Sequence, residues 1–110
     1  MHLVEIHQTM EYKRMPQPIL VNVTEEIVRG LVKFLLFGPE YQTFCHCEKC
    51  EMNILADVLN KLPSNYVSNE KTRSEVYKKL NTPIYINIVN KEIIRSIYNV
   101  GKNPGHTSLE

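Results

Sequence analysis

Cys45-His46-Cys47-Glu48-Lys49-Cys50-Glu51-Met52-Asn53-Ile54-Leu55-Ala56-Asp57-Val58-Leu59-Asn60-Lys61-Leu62-Pro63 is the stretch on which the reading of this chain turns. Its later part is a helix signal. Met52, Leu55, Leu59 and Leu62 recur at spacings of three and four, Ile54 and Val58 lie beside them, and Pro63 stops the run. The spacing predicts a helix from about Cys50 to Leu62. The earlier part gathers all three cysteines of a 110-residue chain into one short motif. A disulfide framework spreads an even number of cysteines along the chain, so an odd and crowded set points to a reducing compartment and a metal site.

Cys45-x-Cys47-x-x-Cys50 brings three thiols close enough to share one ion where the chain turns. Thiolates are soft donors that suit zinc, copper(I) or iron–sulfur clusters, whereas magnesium and calcium take oxygen. Zinc is the expected ion, with Cys45, Cys47 and Cys50 as its ligands. Structural zinc is four-coordinate, so this set is one ligand short. His46 lies inside the motif, and His2, His7 and His106 are remote candidates from this subunit or a second one. The competing reading is three free cysteines that pack as small apolar side chains. A bound ion would staple the end of the preceding helix to the start of the following one and support a small core.

Upstream, Asn22 followed by Glu25 marks a helix start: the asparagine caps free amides and the glutamate suits the positive end of the helix dipole. The helix is expected to run to about Phe37 and to stop at Gly38-Pro39. Ile27, Leu31, Phe34 and Leu35 form one apolar stripe, and Val28, Val32 and Leu36 form an adjacent one. So wide a face needs two partners, which predicts burial within the subunit and against a second copy, hence a homodimer. Gly30 lies between the stripes, either for close backbone approach or as a tolerated surface glycine. Residues 1–20, with Pro16 and Pro18 and no periodicity, read as an N-terminal arm.

Downstream, Tyr66-Val67 reads as a short extended step. Residues 69–80 are polar and are expected to form a helical turn or two with Val76, Tyr77 and Leu80 inside. In Pro83 to Ile88, Ile84, Ile86 and Ile88 alternate as in a strand, while Val89, Ile93, Ile94, Ile97 and Val100 continue at helical spacing to a stop at Gly101. A helix is expected over Val89 to Val100, with the segment before it open between strand and helix. Residues 107–110 look like an expression-vector remnant. The expected fold is therefore mainly α: a small, zinc-stabilised, homodimeric helical domain with at most one short extended segment.

Composition narrows the function classes. The chain is 43% hydrophobic with a net charge of +1, as expected of one small globular domain. Its longest apolar run, Phe34-Leu35-Leu36-Phe37, is far short of the ~20 residues that span a bilayer. A basic n-region followed by an apolar block is absent at the start, so the expected location is cytoplasmic. The charge is uneven, with net −3 over residues 1–60 and +5 over 61–102. Lys71, Arg73, Lys78, Lys79, Lys91, Arg95 and Lys102 could attract the phosphates of a nucleotide or nucleic acid, or form a solvated face. No nucleophile elbow, phosphate-cradling glycine loop or His-Glu-x-x-His motif occurs, and the expectation is a protein without catalytic activity.

The cysteine triplet, joined to Asn53-Ile54-Leu55-Ala56-Asp57-Val58-Leu59-Asn60-Lys61-Leu62-Pro63 and then Tyr66-Val67, resembles the signature of the late competence development protein ComFB family. Val21-Asn22-Val23 with Glu25-Glu26, and Val100 with Asn103-Pro104-Gly105-His106, resemble that family's flanks. The resemblance covers roughly residues 20–106, which places a ComFB-like domain at 21–106. Asn53, Val58 and Ser64 depart from the aspartate, alanine and proline usual in the family. A substituted Asn53 matters if that aspartate serves the metal site or caps the helix. The resemblance implies a small bacterial cytoplasmic protein, mainly helical, homodimeric and zinc-binding through its cysteines. It further implies a link to genetic competence and, in some relatives, to cyclic-dinucleotide signalling. The expected function is a non-enzymatic accessory or regulatory protein, with a cyclic-dinucleotide receptor as the alternative and DNA binding as a weaker one.

Overall fold

The computed structural model describes residues 17–102. Most of the expected arm, His2, His7, His106 and the expected vector remnant lie outside the described residues. Among those described, the elements run β1 (Val21–Asn22), α1 (Val23–Leu36), a 3-10 turn (Pro39–Tyr41), α2 (Glu48–Leu59), β2 (Tyr66–Val67), α3 (Glu70–Leu80) and α4 (Pro83–Lys102). The fold is mainly helical, as expected. No helix among the described residues is long and apolar enough to cross a membrane.

Helix α1 begins and ends where local chemistry dictates. The Asn22 side chain accepts from the Thr24 N–H at 3.2 Å, and Phe37 closes the helix before Gly38-Pro39. Asn22 Oδ1 also accepts from the Asn65 N–H at 2.8 Å, while Thr24 Oγ1 donates to Pro63 O and accepts from Asn65 Nδ2. Thr24 is buried, so this network satisfies groups that water does not reach. It also pins the chain before α1 to the turn after α2, where β1 and β2 pair antiparallel with Val21 opposite Val67 and Asn22 opposite Tyr66. The pairing extends to Ile19, whose N–H donates to Ser68 O at 3.1 Å. The second strand was legible as an extended step, but its partner at Val21-Asn22 was not.

The core lies among α1, α2 and α4. Val28, Val32 and Leu36 meet Ile54, Leu55 and Val58 and then Val89, Ile93 and Ile97, with Tyr41 at one end. Of the two stripes of the first helix, Val28, Val32 and Leu36 are fully buried within the subunit, so they are not available to a second copy. The exposed apolar residues of that segment are Phe34, at 77%, and Phe37. A smaller cluster of Val23, Ile27 and Val67 receives Val76 and Leu80 from α3. Helix α3 has three turns rather than one or two, capped by Asn69 on the Thr72 N–H, and Tyr77 is exposed rather than inside.

Pro83 to Ile88 is helix. Thr82 caps it, its Oγ1 accepting from the Tyr85 N–H at 3.2 Å, and Pro83 follows at the first helical position, where a missing N–H costs nothing. Helical geometry leaves Ile84 and Ile88 exposed, one turn apart, while Tyr85, Ile86 and Val89 turn inward. The helix also passes the expected stop: Gly101 lies within its last turn, where a Cβ would come within 2.8 Å of the Phe44 ring. At Gly30 a Cβ would meet nothing within 4 Å, so this glycine is the tolerated surface one.

Candidate metal centre

The cysteines occupy the turn between α1 and α2. Helix α2 begins at Glu48, two residues earlier than its apolar spacing suggested, because Cys47 itself is the N-cap: its Sγ accepts from the Cys50 N–H at 3.4 Å. It ends at Leu59 rather than Leu62, with Asn60 as its C-cap. The cap fixes Cys47 and Cys50 across the first turn, and Cys45 curls back toward them from the preceding loop. The three Sγ atoms lie within 4.8 Å of one another, and these three residues are the metal-capable group among the described residues. Cys50 is buried, Cys47 half-buried and Cys45 exposed, so the cluster is sealed on the core side and open on the other.

The loop carrying Cys45 rests on an aromatic platform. Phe44 meets Tyr41 and Tyr98 edge-on, with ring centroids 5.5 and 5.2 Å away, and Tyr41 meets Tyr98 at 6.0 Å. Burial, with Tyr98 and Glu40 nearby, raises the Tyr41 phenol above its ordinary value. His46 is not among the converging donors. Its Nε2 donates to the Tyr41 carbonyl at 2.7 Å and its ring lies against Phe37 at 5.1 Å. Asn53 is on the exposed side of α2, and the capping role weighed for that position belongs to Cys47.

Electrostatics favours a cation among these sulfurs. The Cys50 thiol is pushed up to about 12 by burial, by hydrogen bonds with Cys45 and Cys47 and by their charge. Ionising it alone would place a charge in an apolar wall beside two other sulfurs, a cost that a divalent ion removes. Tetrahedral zinc with bonds of about 2.3 Å sets its sulfurs about 3.8 Å apart, a spacing the cluster reaches with small side-chain adjustments. The donor set therefore fits a soft metal ion.

The basic second half is less available than its composition suggested. Arg73 donates to both oxygens of Glu26 and at 2.8 Å to Glu70, tying α3 to α1. Arg95 binds Glu92 at 2.9 Å and reaches Asp57 at 3.4 Å, while Lys61 also binds Asp57 at 2.9 Å. Burial alone would raise the Asp57 carboxyl. Hydrogen bonds from Lys61 and Ser96 and the charges of Lys61 and Arg95 hold it below the usual carboxylate value instead. A groove of about 410 Å³ remains beside α3, lined by Glu26, Glu70, Arg73, Tyr77, Lys78 and Asn81 among others.

Fold and site together describe a small helical domain whose cysteine turn is sized for one soft ion. A sequence profile described as late competence development protein ComFB matches residues 21–104, and the chain belongs to that family. A solved structure of the late competence protein ComFB from Bacillus subtilis superposes with a TM-score of 0.67. That pair is 23% identical, and the match covers 83% of this chain and 98% of the other. No curated protein matches the sequence.

Proposed function

We propose that this chain is a non-enzymatic, homodimeric, cytoplasmic regulatory or accessory protein whose Cys45, Cys47 and Cys50 hold one zinc ion as a structural staple. The observation that carries the reading is the convergence of the three Sγ atoms within 4.8 Å at the capped start of α2. Bound there, the ion would lock the loop after α1 to the first turn of α2. Phe44, Tyr41 and Tyr98 hold that loop from below, so the metal would add a cross-link where the apolar core thins out. Exposed Phe34 and Phe37 beside Pro39 supply an apolar surface for a second copy. Metal analysis of protein purified without chelator, paired with light scattering, tests both parts. One zinc per chain in a dimer is expected; metal-free protein, or a monomer at working concentration, would refute the corresponding part.

The groove beside α3 favours a second reading, a receptor for a cyclic dinucleotide. It places the exposed ring of Tyr77 next to Arg73 and Lys78, a stacking surface beside cations. Arg73 would have to exchange its carboxylate partners for phosphate. Calorimetric titration decides this reading, and an absence of heat at high micromolar ligand would sink it.

A further inference from the structure

We propose that the three-cysteine centre, once loaded as in the zinc reading on which this inference rests, keeps its fourth coordination position for a thiolate from solution. Zinc takes four donors, and the described residues offer three that converge. His46, the imidazole inside the motif, is not part of that converging group: its ring packs on Phe37 and its Nε2 gives its proton to the Tyr41 carbonyl, which leaves Nδ1 as its one free lone pair. Cys50 is buried against the core and Cys45 is exposed, so the remaining position points to the solvent side. A position that faces water is open to exchange, unlike one closed by a fourth side chain.

The chemistry of the site selects the occupant. Three sulfur donors make a soft centre that prefers a fourth sulfur to oxygen. The first-turn amides of α2, including the Cys50 N–H that already faces the Cys47 sulfur, stabilise added negative charge at this end of the helix. A small thiol entering the position gives its proton to solvent, its sulfur bonds to the ion, and the water there leaves. No electron changes hands, so no oxidant is needed. The fold thereby gains a centre whose ligand set responds to the concentration of cellular thiols.

X-ray absorption on the zinc-loaded full chain, with visible spectra of a cobalt-substituted sample, tests this with glutathione as the probe. Three sulfurs near 2.3 Å and one lighter donor near 2.0 Å are expected before addition. Glutathione should convert this to four sulfurs and add a further cobalt–sulfur charge-transfer contribution, while S-methylglutathione leaves both signals unchanged. A four-sulfur shell that persists after dialysis into thiol-free buffer overturns the proposal, because a cysteine of another copy then fills the position. An imidazole signature that His2→Ala, His7→Ala, His46→Ala or His106→Ala abolishes overturns it too, as does an unchanged shell under saturating glutathione. Failure to bind zinc or cobalt at all refutes the underlying metal reading instead, so the two failures are told apart.

Discussion

Asn22→Ala removes one oxygen that closes two parts of the chain at once. Asn22 Oδ1 accepts from the Thr24 N–H, as a helix cap, and from the Asn65 N–H, as a link across to the turn after α2. Losing a cap of this kind costs about 1 kcal/mol. Leaving the half-buried Asn65 amide without its partner adds about 1–2 kcal/mol. The sum of about 2–3 kcal/mol corresponds to a fall of roughly 10–20 °C in Tm for a domain of this size. Asn22→Asp keeps the acceptor and places a negative charge at the helix N-terminus, so its Tm should stay within a few degrees of the parent. Thermal and urea unfolding at fixed metal content, followed by circular dichroism, measures both variants. If Asn22→Ala unfolds within about 0.5 kcal/mol of the parent, the network does not join β1 to the turn after α2 as described.

Gly101 and Gly30 should respond to alanine with opposite signs. Gly101→Ala drives a methyl into the Phe44 ring and is expected to destabilise by about 1–2 kcal/mol and weaken metal retention, since Phe44 precedes Cys45. Gly30→Ala meets nothing and should stabilise by about 0.5–1 kcal/mol through helix propensity. Asp57 is held below its ordinary value in the folded state, so its contribution is present above pH 3.8 and disappears as pH falls through the lowered value. Asp57→Asn should flatten that part of a stability–pH curve. Cys50 has the opposite sign, raised from 9.0 to about 12. Metal-free protein should therefore keep this contribution below pH 9 and lose it as pH rises toward about 12, a loss that zinc-loaded protein does not share.

What could be read from the sequence was whatever depends on near neighbours. Asn22 and Gly38-Pro39 bound α1 as expected, because capping and proline chemistry act within a few residues. Helix α2 starts early because its cap is a cysteine, a residue outside the usual capping set. Thr82-Pro83 is a cap-and-proline signal, but the alternating Ile84, Ile86 and Ile88 beside it imitate a strand. The burial of Val28 and Val32 within one subunit depends on α4 folding back over them, which helical periodicity does not encode. At the site, cysteine spacing announced the sulfur cluster. The commitment of His46 to the Tyr41 carbonyl and the Phe44 platform under Gly101 are contacts between distant or turned segments, and no local pattern marks them.

Counting metal and reactive thiols in the same preparation tests the central claim most directly. Protein purified without chelator should carry one zinc per chain, with all three cysteines shielded from a thiol reagent until a strong chelator releases the ion. Protein without stoichiometric metal, in which exposed Cys45 and half-buried Cys47 react at once while buried Cys50 lags, would contradict it.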